Sequence, residues 1–348
     1  MHDLALYRKY RPKDFSEVLG QDHITKVLES SIRDNKVSHA YLFVGSRGTG
    51  KTSVARIFAK EIGTGDNDLY EIDAASNRGI EDIKTLRDGV RTLPFDSKYK
   101  IYIIDEIHML SKDAWGALLK MLEEPPRHVI FILATTELHK VPDTIISRCQ
   151  VFAFKKASDT SLKNMALAVS KDEGFELDKS GAELIALLGD GSFRDTQGIL
   201  QKVLNFSKSK KIKTEDVEKI TGSPKTKLVN DFISAIIENQ IEKGISAVRT
   251  ASMDNLDMKL YLKLIIQKFR IGIVLKYAPK LEEEISADLS ETDLEFLKNL
   301  VKTDKAGKEN LLSSVSLVVL LDAYKNIENA FITELPLELA LIKILSKV

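Results

Sequence analysis

Residues 40–52 of this chain read AYLFVGSRGTGKT. The first five residues form an apolar run that predicts a short buried strand. The next eight match G-x-x-x-x-G-K-[ST] in full, and a helix is predicted after them over about residues 53–62. Glycines let backbone N–H groups curl around a phosphate, and the helix points its positive end at the same place. We therefore predict a phosphate-binding P-loop, because a chance glycine-rich turn would not need this strand and helix.

Two groups of residues then predict the chemistry of the loop. The predicted nucleotide-binding residues are Gly45, Ser46, Arg47, Gly48, Thr49, Gly50, Lys51 and Thr52. Lys51 would reach the β- and γ-phosphates of ATP, and Thr52 would bind Mg²⁺. A second apolar strand, at residues 100–104, ends in Asp105 and Glu106, at the edge where α/β sheets bind ligands. We predict that Asp105 holds the Mg²⁺ shell and that Glu106 orients and polarises the attacking water.

The strand end has two other interpretations. A pair of carboxylates at the end of a strand is, by itself, more simply explained as a solvated acidic turn. Its position after a P-loop favours the catalytic interpretation. Residues 105–108 also spell DEIH, a helicase-like string, but the remaining helicase motifs are not evident in the sequence. We therefore give the string no separate role.

The order of elements predicts three domains. Further strands are expected at residues 70–73, 129–134 and 151–154, alternating with helices at 80–91 and 114–122. This alternation predicts a parallel sheet with helices on both faces. From about residue 158 the strands stop. The segment TGSP at residues 221–224 indicates a linker. The predicted domains are an α/β P-loop domain at 1–157, a small helical domain at 158–221 and an all-α domain at 222–348.

Composition excludes several classes of protein. The 348 residues include 51 Lys and Arg and 51 Asp and Glu, so a nucleic acid would have to bind a local basic surface. The one cysteine, Cys149, excludes a disulfide within the chain and a cysteine-based zinc site. The sequence has neither a signal peptide at its start nor an apolar run of the roughly 18 residues that a membrane span needs. We expect a soluble cytoplasmic protein that has no membrane partner.

Further motifs follow the P-loop in a specific order. ATTE at residues 134–137 ends the fourth strand, SRC at 147–149 precedes the fifth, and GSFRD at 191–195 opens a later helix. Other strings are ALYRKYRP (5–12), VLGQ (18–21), SHAYLF (38–43), EIDAASN (71–77) and LLKMLEEPP (118–126). On these motifs the chain resembles the AAA+ clamp loaders, and within them the gamma/tau subunit family of bacterial DNA polymerase III. The resemblance covers nearly the whole chain.

The resemblance implies a fold and a set of roles. It implies an AAA+ P-loop domain, then a helical lid domain, then an all-α collar that joins subunits into a ring. In that family the arginine of the SRC motif, here Arg148, acts in trans on ATP bound by the neighbouring subunit. Thr136 takes the first sensor position, and Arg194 the second sensor position in the lid. The family holds the adenine where this chain has Tyr10, Arg11 and Val18.

The resemblance also implies partners. They are delta, delta-prime and further gamma/tau copies in a hetero-oligomeric ring, a sliding clamp, and primer–template DNA. ATP and Mg²⁺ are the implied cofactors, and the implied function is ATP-driven loading of the clamp. Arg78, Lys84 and Lys112 fall on segments that could face the DNA channel. A solvated charged helix face explains each of these three residues at least as well.

The sequence departs from the family in two places. Family members usually carry four zinc-binding cysteines between the P-loop helix and the next strand, but residues 61–70 contain none. We therefore predict no zinc. The sequence ends at Val348, after the collar, so it resembles a short form, a fragment or a lineage that lacks the tail which binds the replicative helicase and polymerase.

Two alternatives stay open. One is another AAA+ DNA remodeller, such as a branch-migration helicase, against which the SRC motif and the EEPP helix end argue. The other is a non-hydrolysing structural loader subunit like delta-prime. The full set of Lys51, Thr52, Asp105 and Glu106 argues against the second alternative.

Overall fold

The computed structural model describes residues 4–77, 80–207, 209–283, 289–307 and 310–346. The chain forms two compact units. The first contains the chain up to Val169 together with Ile185–Gln201, and the second contains Ser170–Leu184 and the chain from Lys202 onwards. Each unit has its own hydrophobic core.

A five-stranded parallel sheet forms the centre of the first unit, as the sequence predicts. Its strands are β1 (Ala40–Val44), β2 (Leu69–Asp73), β3 (Lys100–Asp105), β4 (Val129–Thr135) and β5 (Gln150–Ala153). The strand order is β2-β3-β4-β1-β5. Because β4 lies between β1 and β3, the loops that follow these three strands meet at one edge of the sheet.

Helices cover both faces of this sheet. The helices that belong to the first unit are α1 (Leu6–Lys9), α2 (Asp22–Arg33), α3 (Lys51–Glu61), α4 (Ile80–Val90), α5 (Lys112–Glu123) and α6 (Asp143–Ile146). Side chains of β1 alternate between two cores, because successive residues of a strand point to opposite faces. Tyr41 and Phe43 pack with α2 and α3, whereas Leu42 packs with α4 and α5. A strand that is buried on both faces explains the continuous apolar run AYLFV.

Three helices contribute residues to both units. They are α7 (Asp159–Asp172), α8 (Lys179–Leu188) and α9 (Phe193–Phe206). α8 ends before Gly189 and Gly191, and α9 begins after these glycines. Gly191 has a φ of +81°, which an L side chain adopts only with strain.

The second unit is mainly helical. Its helices are α10 (Thr214–Thr221), α11 (Thr226–Ile237), α12 (Ile241–Met253), α13 (Met258–Tyr277), α14 (Glu291–Ala306), α15 (Ser314–Asn326) and α16 (Leu335–Leu345). The prediction that strands stop at residue 158 is wrong, because β6 (Glu176–Leu177) pairs with β7 (Lys211–Ile212). Two-residue strands are too short to show an alternating pattern in sequence. None of the helices in the described part of the chain is long and apolar enough to span a membrane.

Short 3₁₀ helices complete the two units. They are Phe15–Glu17, Asp66–Asp68, Ile107–Met109, Leu138–Lys140, Pro279–Leu281 and Ile327–Asn329.

A buried carboxylate organises the short connection between α3 and β2. Asp68 is only 1% exposed and accepts the backbone N–H groups of Phe95 (2.6 Å), Asp96 (3.0 Å) and Ser97 (2.9 Å). Burial alone would raise the pKa of Asp68, but these N–H donors outweigh it and hold the pKa well below its usual range. These hydrogen bonds fix the turn that ends in Asp68 to the segment before β3.

Asp68→Asn is expected to destabilise the first unit by about 1.5–3 kcal/mol, because an amide cannot accept these bonds as a charged group does. A carboxyl whose pKa is lower in the folded chain stabilises it above the unfolded pKa of about 4, and this contribution is lost as the pH falls. Urea unfolding at pH 7 and pH 3 measures both effects. Asp66→Asn, an exposed carboxylate in the same turn, is the matched control. Equal stability of the two variants would contradict this role.

Candidate active site

The P-loop has the predicted strand–loop–helix geometry. It follows β1, and α3 begins at Lys51 with Gly50 as its N-cap at a φ of 100°. Gly48 has a φ of +74°, and a Cβ there would lie 1.9 Å from the Ser192 hydroxyl oxygen. The Phe193 N–H donates to the Gly48 carbonyl at 3.0 Å. The loop glycine is therefore needed both for its backbone conformation and for its close approach to the start of α9.

The loop lysine is buried at the mouth of the loop. Lys51 is 6% exposed, and its Nζ donates to the carbonyls of Gly45 (2.7 Å) and Ser46 (3.0 Å). The Thr49 hydroxyl also donates to the Ser46 carbonyl, at 2.9 Å. Burial lowers the pKa of Lys51, while the charges of Glu106 and Asp105 act in the opposite direction. An ammonium that is buried among carbonyls fits a site that receives an anionic ligand.

The two predicted metal ligands are in direct contact. The Thr52 hydroxyl donates to Asp105 Oδ2 at 2.6 Å, and Asp105 Oδ1 accepts the Glu106 N–H at 2.9 Å. A hydroxyl and a carboxylate at this distance provide the oxygen donors that Mg²⁺ prefers, with the remaining positions left to phosphate and water. The residues present therefore fit MgATP.

The predicted catalytic carboxylate contacts the predicted first sensor. Glu106 follows β3 in the left-handed conformation, with φ 50° and ψ 44°. Its Oε2 accepts the Thr136 N–H at 3.3 Å and the Thr136 hydroxyl at 3.1 Å. This contact forms because β3 and β4 are neighbours in the sheet and both end at this edge.

Three further residues at this edge were not predicted from the sequence. Thr135 is the last residue of β4 and is fully buried, and its hydroxyl lies 3.1 Å from His108 Nδ1. His108 Nε2 lies 3.2 Å from Glu137 Oε1. The DEIH and ATTE strings contain all three residues, but neither string indicates that the two loops meet.

Cationic side chains surround the N-terminal segment. The Arg194 guanidinium lies 5.0 Å from the centre of the Tyr7 ring. Burial lowers the pKa of Arg11 most, the charges of Arg56, Arg194 and Arg8 lower it further, and Glu71 acts in the opposite direction. Arg56 is paired with Glu71, and the segment as a whole concentrates positive charge, which attracts anions.

The other predicted adenine-site residues lie in the same segment. The Tyr10 ring is 5.5 Å from Lys9 Nζ, and Val18 is 8% exposed in the core beneath α2 and α3. Arg47 is exposed at the tip of the P-loop.

Arg148 lies after α6 and before β5, and it does not contact its own P-loop. Its Nη1 donates to the Thr144 carbonyl at 2.7 Å and lies 3.4 Å from the Ser147 hydroxyl. Its Nη2 donates to Glu123 Oε1 at 2.8 Å. Both partners of this ion pair are partly exposed, at 34% and 44%.

The remaining positions are the three predicted DNA-contact residues and Cys149. Arg78 lies outside the described residues, and Lys84 is in α4 with its side chain outside them. Lys112 is the exposed first residue of α5. Cys149 is half-buried, and burial raises the pKa of its thiol to about 12. Within the described ranges no group of three or more His, Cys, Asp or Glu is placed to hold a metal ion, and the absence of zinc stays a prediction.

Comparison with known proteins shows the family. The chain is 33% identical to the DNA polymerase III subunit gamma of Buchnera aphidicola, over 80% of this chain and 80% of that protein. The chain belongs to the DNA polymerase III gamma/tau family. It is 39% identical to subunit tau of Bacillus subtilis, over 82% of this chain and 54% of that protein. It is 35% identical to subunit gamma/tau of Mycoplasma genitalium, over 98% of this chain and 61% of that protein. The chain thus spans little more than half the length of the last two relatives.

Two further comparisons concern the AAA+ part of this family member. The profile described as DNA polymerase III, delta subunit, matches residues 20–75 and 66–158. Among solved structures, the RuvB Holliday junction branch migration motor of Thermotoga maritima has a TM-score of 0.53 and 24% identity, over 66% of this chain and 80% of that one. That likeness concerns the fold alone. Together with the parallel sheet and the helical second unit, it confirms the predicted AAA+ fold with helical domains after it.

Proposed function

We propose that this chain is an ATP-dependent motor subunit of a bacterial clamp loader, which binds and hydrolyses ATP to place a sliding clamp on primed DNA. The observation that carries the proposal is the set of contacts joining the P-loop to the ends of β3 and β4 in a gamma/tau family member. Thr52 contacts Asp105, and Thr136 contacts Glu106. A purely structural subunit would not need these four side chains in contact.

Each of these side chains, together with Lys51, has one role in the proposed reaction. MgATP supplies the transferable γ-phosphoryl group and the divalent charge that neutralises it. Lys51 exchanges the Gly45 and Ser46 carbonyls for phosphate oxygens, and α3 directs its free N–H groups at the same charge. Thr52 and Asp105 offer oxygen ligands. Glu106 would take a proton from the attacking water on its carboxylate as the water oxygen bonds to the γ-phosphorus and the bond from that phosphorus to the departing ADP breaks. Thr136 keeps the carboxylate in place.

The proposed assembly is a ring. We propose delta, delta-prime and further gamma/tau copies as neighbours, with the sliding clamp and primer–template DNA as the objects of the motor. As predicted from the sequence, we propose a lid domain at 158–221 and a collar at 222–348. A subunit that loads clamps on bacterial chromosomal DNA works in the cytoplasm, which is the compartment we propose.

An exposed apolar face on the second unit supports the collar assignment. Val315, Val318 and Leu321 recur at helical spacing on α15, and Leu335, Leu339 and Ile342 do so on α16. All six are between 39% and 58% exposed. Exposed apolar side chains on two helices that pack against each other are typical of a protein–protein interface. We propose neighbouring loader subunits as its occupants.

Val318→Glu combined with Leu339→Glu is expected to weaken ring assembly at least about tenfold, because two charges would be buried at the interface. Size-exclusion chromatography with the other subunits measures the shift from complex to free chain. Lys302→Glu, a charge reversal at an exposed residue of α14, is the control and should assemble normally. Unchanged assembly of the double variant would remove this face from the proposal.

The function itself is tested by reconstitution. The chain is mixed with candidate delta and delta-prime subunits and a sliding clamp, with and without ATP, and separated by size-exclusion chromatography. The proposal expects an ATP-dependent complex that contains the clamp, and transfer of the clamp to primed circular DNA. Migration of branched DNA without clamp binding would favour a DNA remodeller instead. Assembly without ATP binding would favour a structural subunit.

A further inference from the structure

His108 is buried between two carboxylates at the end of the sheet. It lies in the 3₁₀ helix Ile107–Met109, directly after Glu106, and its side chain is 7% exposed. Its Nδ1 is 3.3 Å from Glu106 Oε2 and 3.1 Å from the Thr135 hydroxyl. Its Nε2 is 3.2 Å from Glu137 Oε1. One imidazole therefore connects the loop after β3 to the loop after β4.

The contacts of Glu106 are all made by one of its two oxygens. Oε2 accepts the Thr136 N–H and hydroxyl and faces His108, whereas no described residue donates to Oε1. Glu106 also follows Asp105, which contacts Thr52 at the end of the P-loop, so the carboxylate lies near the P-loop. A carboxylate that is held by one oxygen keeps the other in a defined direction, which is the arrangement that a general base requires.

The far side of His108 is fixed as well. Glu137 Oε2 contacts Lys140 Nζ at 2.8 Å, and the Glu137 N–H donates to the Thr135 hydroxyl at 3.0 Å. Close polar contacts thus run from Glu106 through His108 to Glu137 and Lys140, and the Thr135 hydroxyl is hydrogen-bonded at the centre of this row. Glu106 has a left-handed backbone that is uncommon for a residue other than glycine, and such a conformation persists only where the surrounding structure holds it.

We propose that His108 is a positioning residue for ATP hydrolysis. It keeps Glu106 Oε2 turned to the end of β4, which leaves Oε1 available to the attacking water, and it is held against Glu137 while it does so. The inference rests on the proposed function, because it takes Glu106 as the group that activates water. His108 itself does not touch the reacting atoms.

The test separates positioning from binding. In His108→Leu, Glu106 loses one of its holding contacts, and hydrolysis of bound ATP should slow by about 10–100-fold in single turnover. The dissociation constant for ATP should stay within about twofold, because Lys51 and Thr52 are untouched. His108→Asn places an amide donor near the position of Nδ1 and should recover most of the rate. Glu137→Gln, which keeps an acceptor for Nε2 but removes its charge, should fall between the two.

The controls make each outcome decisive. His128→Leu removes another half-buried imidazole, which contacts the carbonyls of Val90 and Thr92, and it should leave single-turnover hydrolysis unchanged. All variants are measured as full chains within the assembled complex, beside Glu106→Gln. If Glu106→Gln stops hydrolysis while His108→Leu matches the wild type or is faster, the positioning role is overturned and the proposed function stands. If Glu106→Gln hydrolyses ATP normally, the proposed function fails and this inference fails with it.

Discussion

Replacing Glu106 by glutamine is expected to leave MgATP bound and to slow its hydrolysis by about 10²–10⁴-fold, the usual contribution of a general base. Glutamine has the shape of glutamate, and its amide oxygen can still accept the Thr136 N–H and hydroxyl. The loop after β3 should therefore keep its structure. Only the basic oxygen that receives the proton of the attacking water is lost.

Two measurements test whether Glu106→Gln separates ATP binding from ATP hydrolysis. A fluorescent ATP analogue reports affinity, and phosphate release reports turnover in the assembled complex. Lys51→Ala provides the opposite pattern, since the loss of the buried ammonium should abolish measurable ATP binding. Glu61→Gln, an exposed glutamate at the end of α3, should change neither quantity. Hydrolysis at the wild-type rate in the Glu106→Gln protein would contradict the assignment of Glu106.

The elements of the sheet could be predicted because their patterns are local. The run AYLFV gives β1 its observed bounds, and the strand that ends in Asp105 is only one residue longer than expected. The P-loop helix begins at Lys51, slightly earlier than expected, because Gly50 takes the left-handed conformation and ends the loop there. A period of two or 3.6 residues and a glycine are each visible within a few residues of sequence.

The contacts at the end of the sheet could not be predicted, because they join segments that are distant in the chain. ATTE contains two adjacent threonines. Which way each side chain points at the end of β4 decides that Thr136 contacts Glu106 and that Thr135 contacts His108. The contacts of Asp68 could not be predicted for the same reason, since its backbone partners come after β2 and α4 in the chain. Sequence patterns indicate which residues end a strand, whereas the packed sheet decides which of them meet.

Arg148→Ala is expected to reduce hydrolysis by the assembled loader by about 10³–10⁵-fold, as for arginines supplied by a neighbouring protein in phosphoryl transfer. ATP affinity of the isolated chain should hardly change. The structure supports a role in trans, because the hydrogen bonds of Arg148 go to Thr144, Ser147 and Glu123, and none of these belongs to the P-loop.

The ion pair with Glu123 does not prevent such a role. Both side chains are partly exposed, and exposed pairs contribute only about 0–1 kcal/mol. The guanidinium can therefore exchange this carboxylate for a phosphate when a neighbouring subunit brings one. Arg148→Lys should not restore the rate, because lysine lacks the planar pair of donors that binds two oxygens at once.

Mixing two inactive proteins decides between action in trans and action in cis. Lys51→Ala chains and Arg148→Ala chains are combined in one loader that contains several gamma/tau copies. If Arg148 acts in trans, some interfaces pair an intact P-loop with an intact arginine, and part of the activity returns. Loaders built from either variant alone are the controls and should stay inactive. If Arg148 acts in cis, every chain carries a defect in its own site, and no mixture recovers. Recovery would also show that hydrolysis depends on assembly, because an isolated chain lacks the arginine that its own site needs.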